Sequence, residues 1–106
     1  MPPTPLGDVA TELLFENEHV KVWEMRLEPG EASELHRHEF EYFFVVLEGE
    51  SIDADFAGGQ SVRLPVQPGR VIYVPPGNTE TAVNRSGVRY REILVELLDR
   101  RKASPG

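Results

Sequence analysis

Residues 29–49 read PGEASELHRHEFEYFFVVLEG and carry two of the three histidines of this 106-residue chain. A Pro-Gly pair opens the stretch, and a Glu-Gly pair closes it after a run of aromatic and aliphatic residues. In an extended strand, residues two apart point to the same face, so His36 and His38 would present their imidazoles side by side. Neutral imidazole binds iron, copper, nickel, zinc and manganese, so the spacing predicts a site for one divalent transition metal. Two ordinary polar histidines are the alternative that the spacing alone leaves open.

Outward from this stretch, short hydrophobic runs alternate with turn signals along most of the chain. Glycine and proline pairs, such as Gly58-Gly59 and Pro68-Gly69, can reverse the chain because glycine adopts positive φ and proline pre-sets φ. Short strands punctuated in this way are typical of a sandwich or barrel, so the pattern predicts an all-β fold. The expected strands are residues 20–27, 40–47, 51–56, 61–64, 71–74, 80–84 and 89–97.

Two segments have a less distinct pattern. Residues 10–15 include three consecutive apolar side chains and predict a helix of about two turns, which is marginal by itself. Residues 91–98 suit either a strand or a helix, and we favour a strand because alternate residues, Ile93 and Val95 among them, would share an apolar face. One domain is expected over residues 11–98, with flexible tails at 1–10 and 99–106.

Composition narrows the classes of function. The formal net charge of −7 disfavours binding to nucleic acid or to anionic lipid. No cysteine is present, so disulfides, thiolate metal sites and cysteine nucleophiles are excluded. No run of about 18 apolar residues occurs, and the first residues lack the pattern of a signal peptide. We therefore expect a cytoplasmic protein with no membrane segment.

The glycines around the two histidines resemble the motifs of a known superfamily, the cupins. The first cupin motif is Gly, five residues, His-x-His, three or four residues, Glu, six residues, Gly. The positions that fit it are Gly30, His36, His38 and Gly49. The second motif is Gly, five residues, Pro-x-Gly, two residues, His, three residues, Asn. The positions that fit it are Gly69, Pro75, Gly77 and Asn84. The resemblance implies a single cupin-type β-barrel, or jelly roll, commonly dimeric, with His, His, Glu and His ligands around a divalent metal.

Two positions depart from that ligand pattern. The glutamate of the first motif falls on Tyr42, and the histidine of the second falls on Glu80. Two histidines with one carboxylate are typical of non-haem iron(II) sites, so Glu80 as third ligand makes iron the first expectation, with manganese, nickel, copper or zinc as alternatives. A lost ligand, and a barrel with little or no metal, is the other interpretation. Glu41 is a fourth candidate ligand only if a β-bulge turns it inward, and otherwise it faces solvent.

The aromatic residues that we assign to a substrate pocket are Tyr42, Phe44 and Tyr73. The Tyr42 hydroxyl could meet a ligand, although a buried core aromatic is the commoner role, and the other two suit a core or a subunit interface as well. The expected partners are a small-molecule substrate or ligand and a second copy of the chain. The function could be that of a metal-dependent dioxygenase, isomerase or decarboxylase, of a non-catalytic binding protein, or of a metal-free dimeric barrel.

Overall fold

The computed structural model describes residues 6–98, which form nine β-strands and no helix. In chain order the strands are β1 Glu12–Glu16, β2 Val20–Leu27, β3 His36–Arg37, β4 Tyr42–Glu48, β5 Ser51–Phe56, β6 Ser61–Pro65, β7 Val71–Val74, β8 Thr79–Val83 and β9 Tyr90–Leu97. The expected all-β class is therefore confirmed. Within these residues, no helix has the length and apolar character needed to cross a membrane.

The strands form two antiparallel sheets. One has the order β1-β2-β9-β4-β7, and the other has the order β3-β8-β5-β6. After β2 the chain passes repeatedly from one sheet to the other, as it does between β3 and β4 and again between β8 and β9. This alternation is the jelly-roll arrangement that the resemblance implied. Buried apolar residues from both sheets, including Phe44 and Leu94 from the first and Ile52 and Ala82 from the second, make one core.

Strand β9 lies at the centre of the five-stranded sheet, paired with β2 along its whole length and with β4. Its identity as a strand confirms the choice made from the sequence. The face of β9 that is buried, however, is not the aliphatic face that the sequence led us to expect. The inward, buried face carries Tyr90, Glu92, Leu94 and Glu96. The aliphatic face that contains Ile93 and Val95 is half-buried and points out of the barrel.

The N-terminal part differs from the sequence-based expectation in two ways. The predicted helix at residues 10–15 is wrong, because β1 occupies this region and pairs with β2 as an edge strand. Two isolated helical turns are marginal in water, whereas pairing with β2 gives the backbone of this segment cross-strand hydrogen bonds. Residues 6–10 also pack on the barrel: Val9 and Ala10 are buried in the core, and the Gly7 N–H donates to the Leu35 carbonyl. Of the expected tails at residues 1–10 and 99–106, residues 1–5 and 99–106 lie outside the described residues.

The loop between β4 and β5 brings Gly49 against the barrel interior. Gly49 has a φ of 137°, a conformation that other residues rarely adopt, and a Cβ added to it would lie 2.7 Å from the Tyr90 ring. Tyr90 is fully buried. The glycine of the first motif therefore provides the space that the Tyr90 ring occupies.

Candidate functional site

Two paired strands of the smaller sheet bring three candidate ligands together. His36 of β3 lies directly opposite Glu80 of β8 in the strand register. His38 follows β3, and its backbone is held by hydrogen bonds to Asn78 and Gly77. One ligand atom from each of His36, His38 and Glu80 can be chosen so that all three lie within 4.8 Å of one another. This separation is compatible with three donors around one ion.

The His36 ring is oriented by its own backbone environment. Its Nδ1 lies 2.8 Å from the Glu34 carbonyl oxygen, which can only accept, so Nδ1 carries the proton and donates. Nε2 is then the unprotonated nitrogen with a free electron pair. Metal-bound histidines are commonly held in this way by a backbone carbonyl. Burial lowers the pKa of His36, more than the bond to Glu34 raises it, so the ring favours the neutral form that binds metals.

His38 is a buried histidine with an unsatisfied atom. Its side chain is 1% exposed, and its Nδ1 has no hydrogen-bond partner among the residues that the structure describes. Its ring stacks on Tyr42 with a centroid distance of 4.0 Å. Burial, and to a smaller extent the neighbouring His36, lowers the pKa of His38 to about 3. A neutral, buried imidazole with an unpaired nitrogen is suited to a ligand that completes its bonding.

Glu80 contributes the one carboxylate of the group. It is 9% exposed, and over residues 6–98 its carboxyl group takes part in no hydrogen bond or ion pair. Burial raises its pKa, because a carboxylate away from water is costly without a compensating cation. Two neutral imidazoles and one such carboxylate fit a divalent transition metal, and the donor set is that of non-haem iron(II) sites.

The three side chains lie on the wall of a cavity of about 180 Å³ between the two sheets. The cavity is mostly apolar. Its apolar lining includes Met25, Phe44, Ile52, Phe56, Val62, Leu64, Ile72, Val74, Ala82 and Leu94. Tyr42 and Phe44 both line it. The polar ligand group therefore faces a space suited to a largely apolar small molecule.

The structure places Glu41 and Tyr73 outside this cavity, so neither takes the inward position that was one of the two alternatives for each. Tyr42, the first residue of β4, is buried and lines the cavity, whereas Glu41 lies before the strand, is half-buried and does not line it. Tyr73 lies opposite Phe43 on the outer face of the larger sheet and is 57% exposed. Its hydroxyl donates to the Glu41 carboxylate. Glu41 is therefore not among the grouped ligand atoms.

Sequence reasoning missed another carboxyl group in the cavity, Glu92 of β9. Glu92 is 4% exposed, lines the cavity and accepts a hydrogen bond from the hydroxyl of Tyr90. Burial raises the pKa of Glu92 to about 7, with a smaller contribution from the charge of Glu80, while the bond from Tyr90 opposes the rise. Its spacing from Leu94 placed both residues on one face of β9, but no signal in the sequence showed that this face points inward.

Comparison with known proteins agrees with the jelly-roll fold. The cupin domain family matches residues 23–95. A cupin domain from Bordetella pertussis has a TM-score of 0.75 and 26% identity over 91% of this chain and 98% of that chain. An RmlC-like cupin with a double-stranded β-helix fold from Methanocaldococcus jannaschii has a TM-score of 0.67 and 20% identity over 86% of this chain and 81% of that chain.

A further similar structure is described as the polyketide cyclase RemF from Streptomyces resistomycificus. It has a TM-score of 0.59 and 25% identity over 77% of this chain, but only 56% of that chain is covered. No curated protein matches the sequence. With the family matched over residues 23–95 and the jelly roll in place, the chain belongs to the cupin domain family.

Proposed function

We propose that this cupin is a metal-dependent enzyme in which His36, His38 and Glu80 hold one divalent transition metal, with iron first and manganese, nickel, copper or zinc as alternatives. The observation that carries the proposal is the approach of their donor atoms to within 4.8 Å. The unpaired Nδ1 of His38 and the uncompensated carboxyl of Glu80 support it, since a cation satisfies such groups.

Each residue has a distinct part in such a site. The bond from His36 Nδ1 to Glu34 leaves Nε2 as the donor, and the depressed pKa of both histidines limits competition from protons. Glu80 supplies negative charge that partly balances the ion. A bound metal would supply Lewis acidity to an oxygen of the substrate.

We infer that the substrate is a small, largely apolar molecule with at least one oxygen donor. A cavity of about 180 Å³ is slightly larger than one of roughly 150 Å³ that accommodates benzene, so it suits a molecule with one ring or two small fused rings. The apolar lining supplies contact area, while the ligand group supplies the polar end. The likeness to a polyketide cyclase supports this class, because polyketides are carbon-rich molecules that bear carbonyl and hydroxyl oxygens.

Metal analysis of protein purified without a histidine tag tests the site. We expect stoichiometric metal in the wild type, loss of it in His36→Ala and a fall of about tenfold or more in affinity in Glu80→Ala. His19→Ala is the matched control and should keep full metal content. The His19 side chain is 62% exposed and is not among the grouped ligand atoms. Full retention in Glu80→Ala would contradict the carboxylate ligand, and a metal-free wild type would contradict the site.

We also propose that the chain forms a homodimer through the outer face of its five-stranded sheet. Each of the five strands contributes one apolar residue to a single cross-strand row on that face. The row consists of Phe15, Val22, Val95, Phe43 and Tyr73. Its two end members are more than half exposed. Exposed apolar side chains that lie together mark protein interfaces. Sedimentation at micromolar concentration should give a dimer mass, which Phe15→Glu should lower; a monomeric wild type contradicts the proposal.

A further inference from the structure

Glu92, a carboxyl group remote in sequence from the proposed ligands, lines the same cavity. Glu92 lies at the middle of the larger sheet, with Met25 of β2 and Val46 of β4 beside it in the register. Both neighbours are buried and apolar. The three-ligand group comes mainly from the smaller sheet, so the cavity has a carboxyl group on each of its two walls.

The contacts of Glu92 hold one of its oxygens and leave the other available. The Tyr90 hydroxyl donates to Oε1, and Tyr90 itself is fully buried beside Gly49. Among residues 6–98, Oε2 has no hydrogen-bond partner and the carboxyl forms no ion pair. Oε2 is therefore free to meet a molecule in the cavity.

Among residues 6–98, no positively charged side chain lines the cavity with Glu92. The titratable side chains that share the cavity with Glu92 are two neutral histidines and the acidic or phenolic groups of Tyr42, Asp53 and Glu80. Asp53 is engaged elsewhere, since its carboxylate accepts bonds from Arg63 and Arg85. A buried acid with a raised pKa and no cation is costly to the fold, and such groups concentrate at functional sites.

We propose that Glu92 is the catalytic base of the cavity, and that it removes a proton from the carbon beside the carbonyl group of a small apolar ketone. The proposal rests on the proposed function, which supplies the site for the carbonyl oxygen. Oε2 takes the proton and becomes a carboxylic acid, the C–H electron pair forms the C=C bond of the enolate, and the C=O π electrons move to oxygen. Return of the proton to the same or another carbon restores Glu92. Tyr90 is a positioning residue.

Deuterium exchange at the carbon beside the carbonyl group tests the assignment. The purified metal-containing protein is incubated in D₂O with cyclopentanone, cyclohexanone, acetophenone or 2-indanone, and loss of the proton signal is followed by NMR. General base catalysis is worth about 10²- to 10⁴-fold, so Glu92→Gln should lose at least about 100-fold of the exchange rate. Glu96→Gln is the matched control, because Glu96 is a buried glutamate of the same strand and face that accepts a bond from Trp23 and does not line the cavity. It should retain the wild-type rate within about threefold.

Two further readouts separate a base from a structural group. Burial raises the pKa of Glu92 to about 7 in the metal-free chain, and a cation held by Glu80 would lower it, so the exchange rate of the metal-containing wild type should rise with pH through a midpoint at or below about 7 as Glu92 loses its proton. Because the Tyr90 bond lowers the pKa of Glu92, Tyr90→Phe should move this profile to higher pH. In metal-free protein, infrared spectra should show a carboxyl group that titrates near neutral pH and is missing in Glu92→Gln.

The possible results are distinguishable from a failure of the metal site, because metal content is measured on the same samples. Metal-containing wild type that exchanges none of the four ketones above the buffer rate, or Glu92→Gln that matches the wild type, overturns the base assignment and leaves the metal site standing. A metal-free wild type contradicts the proposed function, and its exchange rate relative to Glu92→Gln still decides the role of Glu92.

Discussion

Replacing Glu92 by Gln should stabilise the protein at alkaline pH while leaving its stability nearly unchanged at acidic pH. The ordinary pKa of a glutamate is 4.5, and burial raises that of Glu92 to about 7 in the folded chain. Between these values the unfolded chain loses its proton while the folded chain keeps it, so the free energy of unfolding falls as pH rises. Each pH unit between the two pKa values is worth about 1.4 kcal/mol, which gives a loss of about 3 kcal/mol above pH 7.

Gln has nearly the same shape, still accepts a bond from Tyr90 and has no charge to bury. Urea unfolding of wild type and Glu92→Gln, at pH 4.5 and pH 8.5 with EDTA present, measures the difference directly. The variant should be more stable by about 3 kcal/mol at pH 8.5 and by about 0.5 kcal/mol or less at pH 4.5. Glu18→Gln, at a side chain that is 83% exposed, should show no such difference. Equal stability of wild type and Glu92→Gln at pH 8.5, or a less stable variant, would refute the reasoning.

Two further substitutions test the supports of the site. Gly49→Ala should destabilise the fold by about 1 to 3 kcal/mol in urea unfolding, because φ of residue 49 is positive and the added Cβ would lie 2.7 Å from the Tyr90 ring. Gly58→Ala is the control, because an added Cβ would have no atom within 4 Å, and its free energy of unfolding should stay within about 0.5 kcal/mol of the wild type. Asn84→Ala should cost about 2 to 4 kcal/mol in the same assay, because the buried amide donates to the Leu27 and Val88 carbonyls and their bonds would be lost. A loss below about 1 kcal/mol would contradict the role of Asn84.

Strands flanked by strong turn signals could be predicted from the sequence. The predicted ranges 20–27, 51–56 and 71–74 coincide with β2, β5 and β7. Each is short, rich in strand-forming residues or alternating, and bounded by polar, glycine or proline residues. The spacing of His36 and His38 also placed both imidazoles inside, and the second motif brought Glu80 to the same group.

The faces of the larger sheet were harder to predict. An apolar alternation indicates a covered face, but it does not say whether the cover is the barrel core or another surface. In β9 Ile93, Val95 and Leu97 lie on the outer face, and Glu92 and Glu96 lie on the buried face with Leu94. The same ambiguity placed Tyr73 in the pocket, although it lies on the outer face. The alternation of side chains assigns the residues of a strand to its two faces. Tertiary packing decides which of the two faces points into the barrel.

The most direct test of the metal site is an anomalous difference map from crystals of the untagged protein, collected at the absorption edge of the metal found by elemental analysis. The account predicts one strong peak in the cavity, about 2.0 to 2.3 Å from a nitrogen of His36, a nitrogen of His38 and a carboxylate oxygen of Glu80. A peak coordinated by other residues, or crystals of metal-supplemented protein with no peak between these side chains, would contradict it.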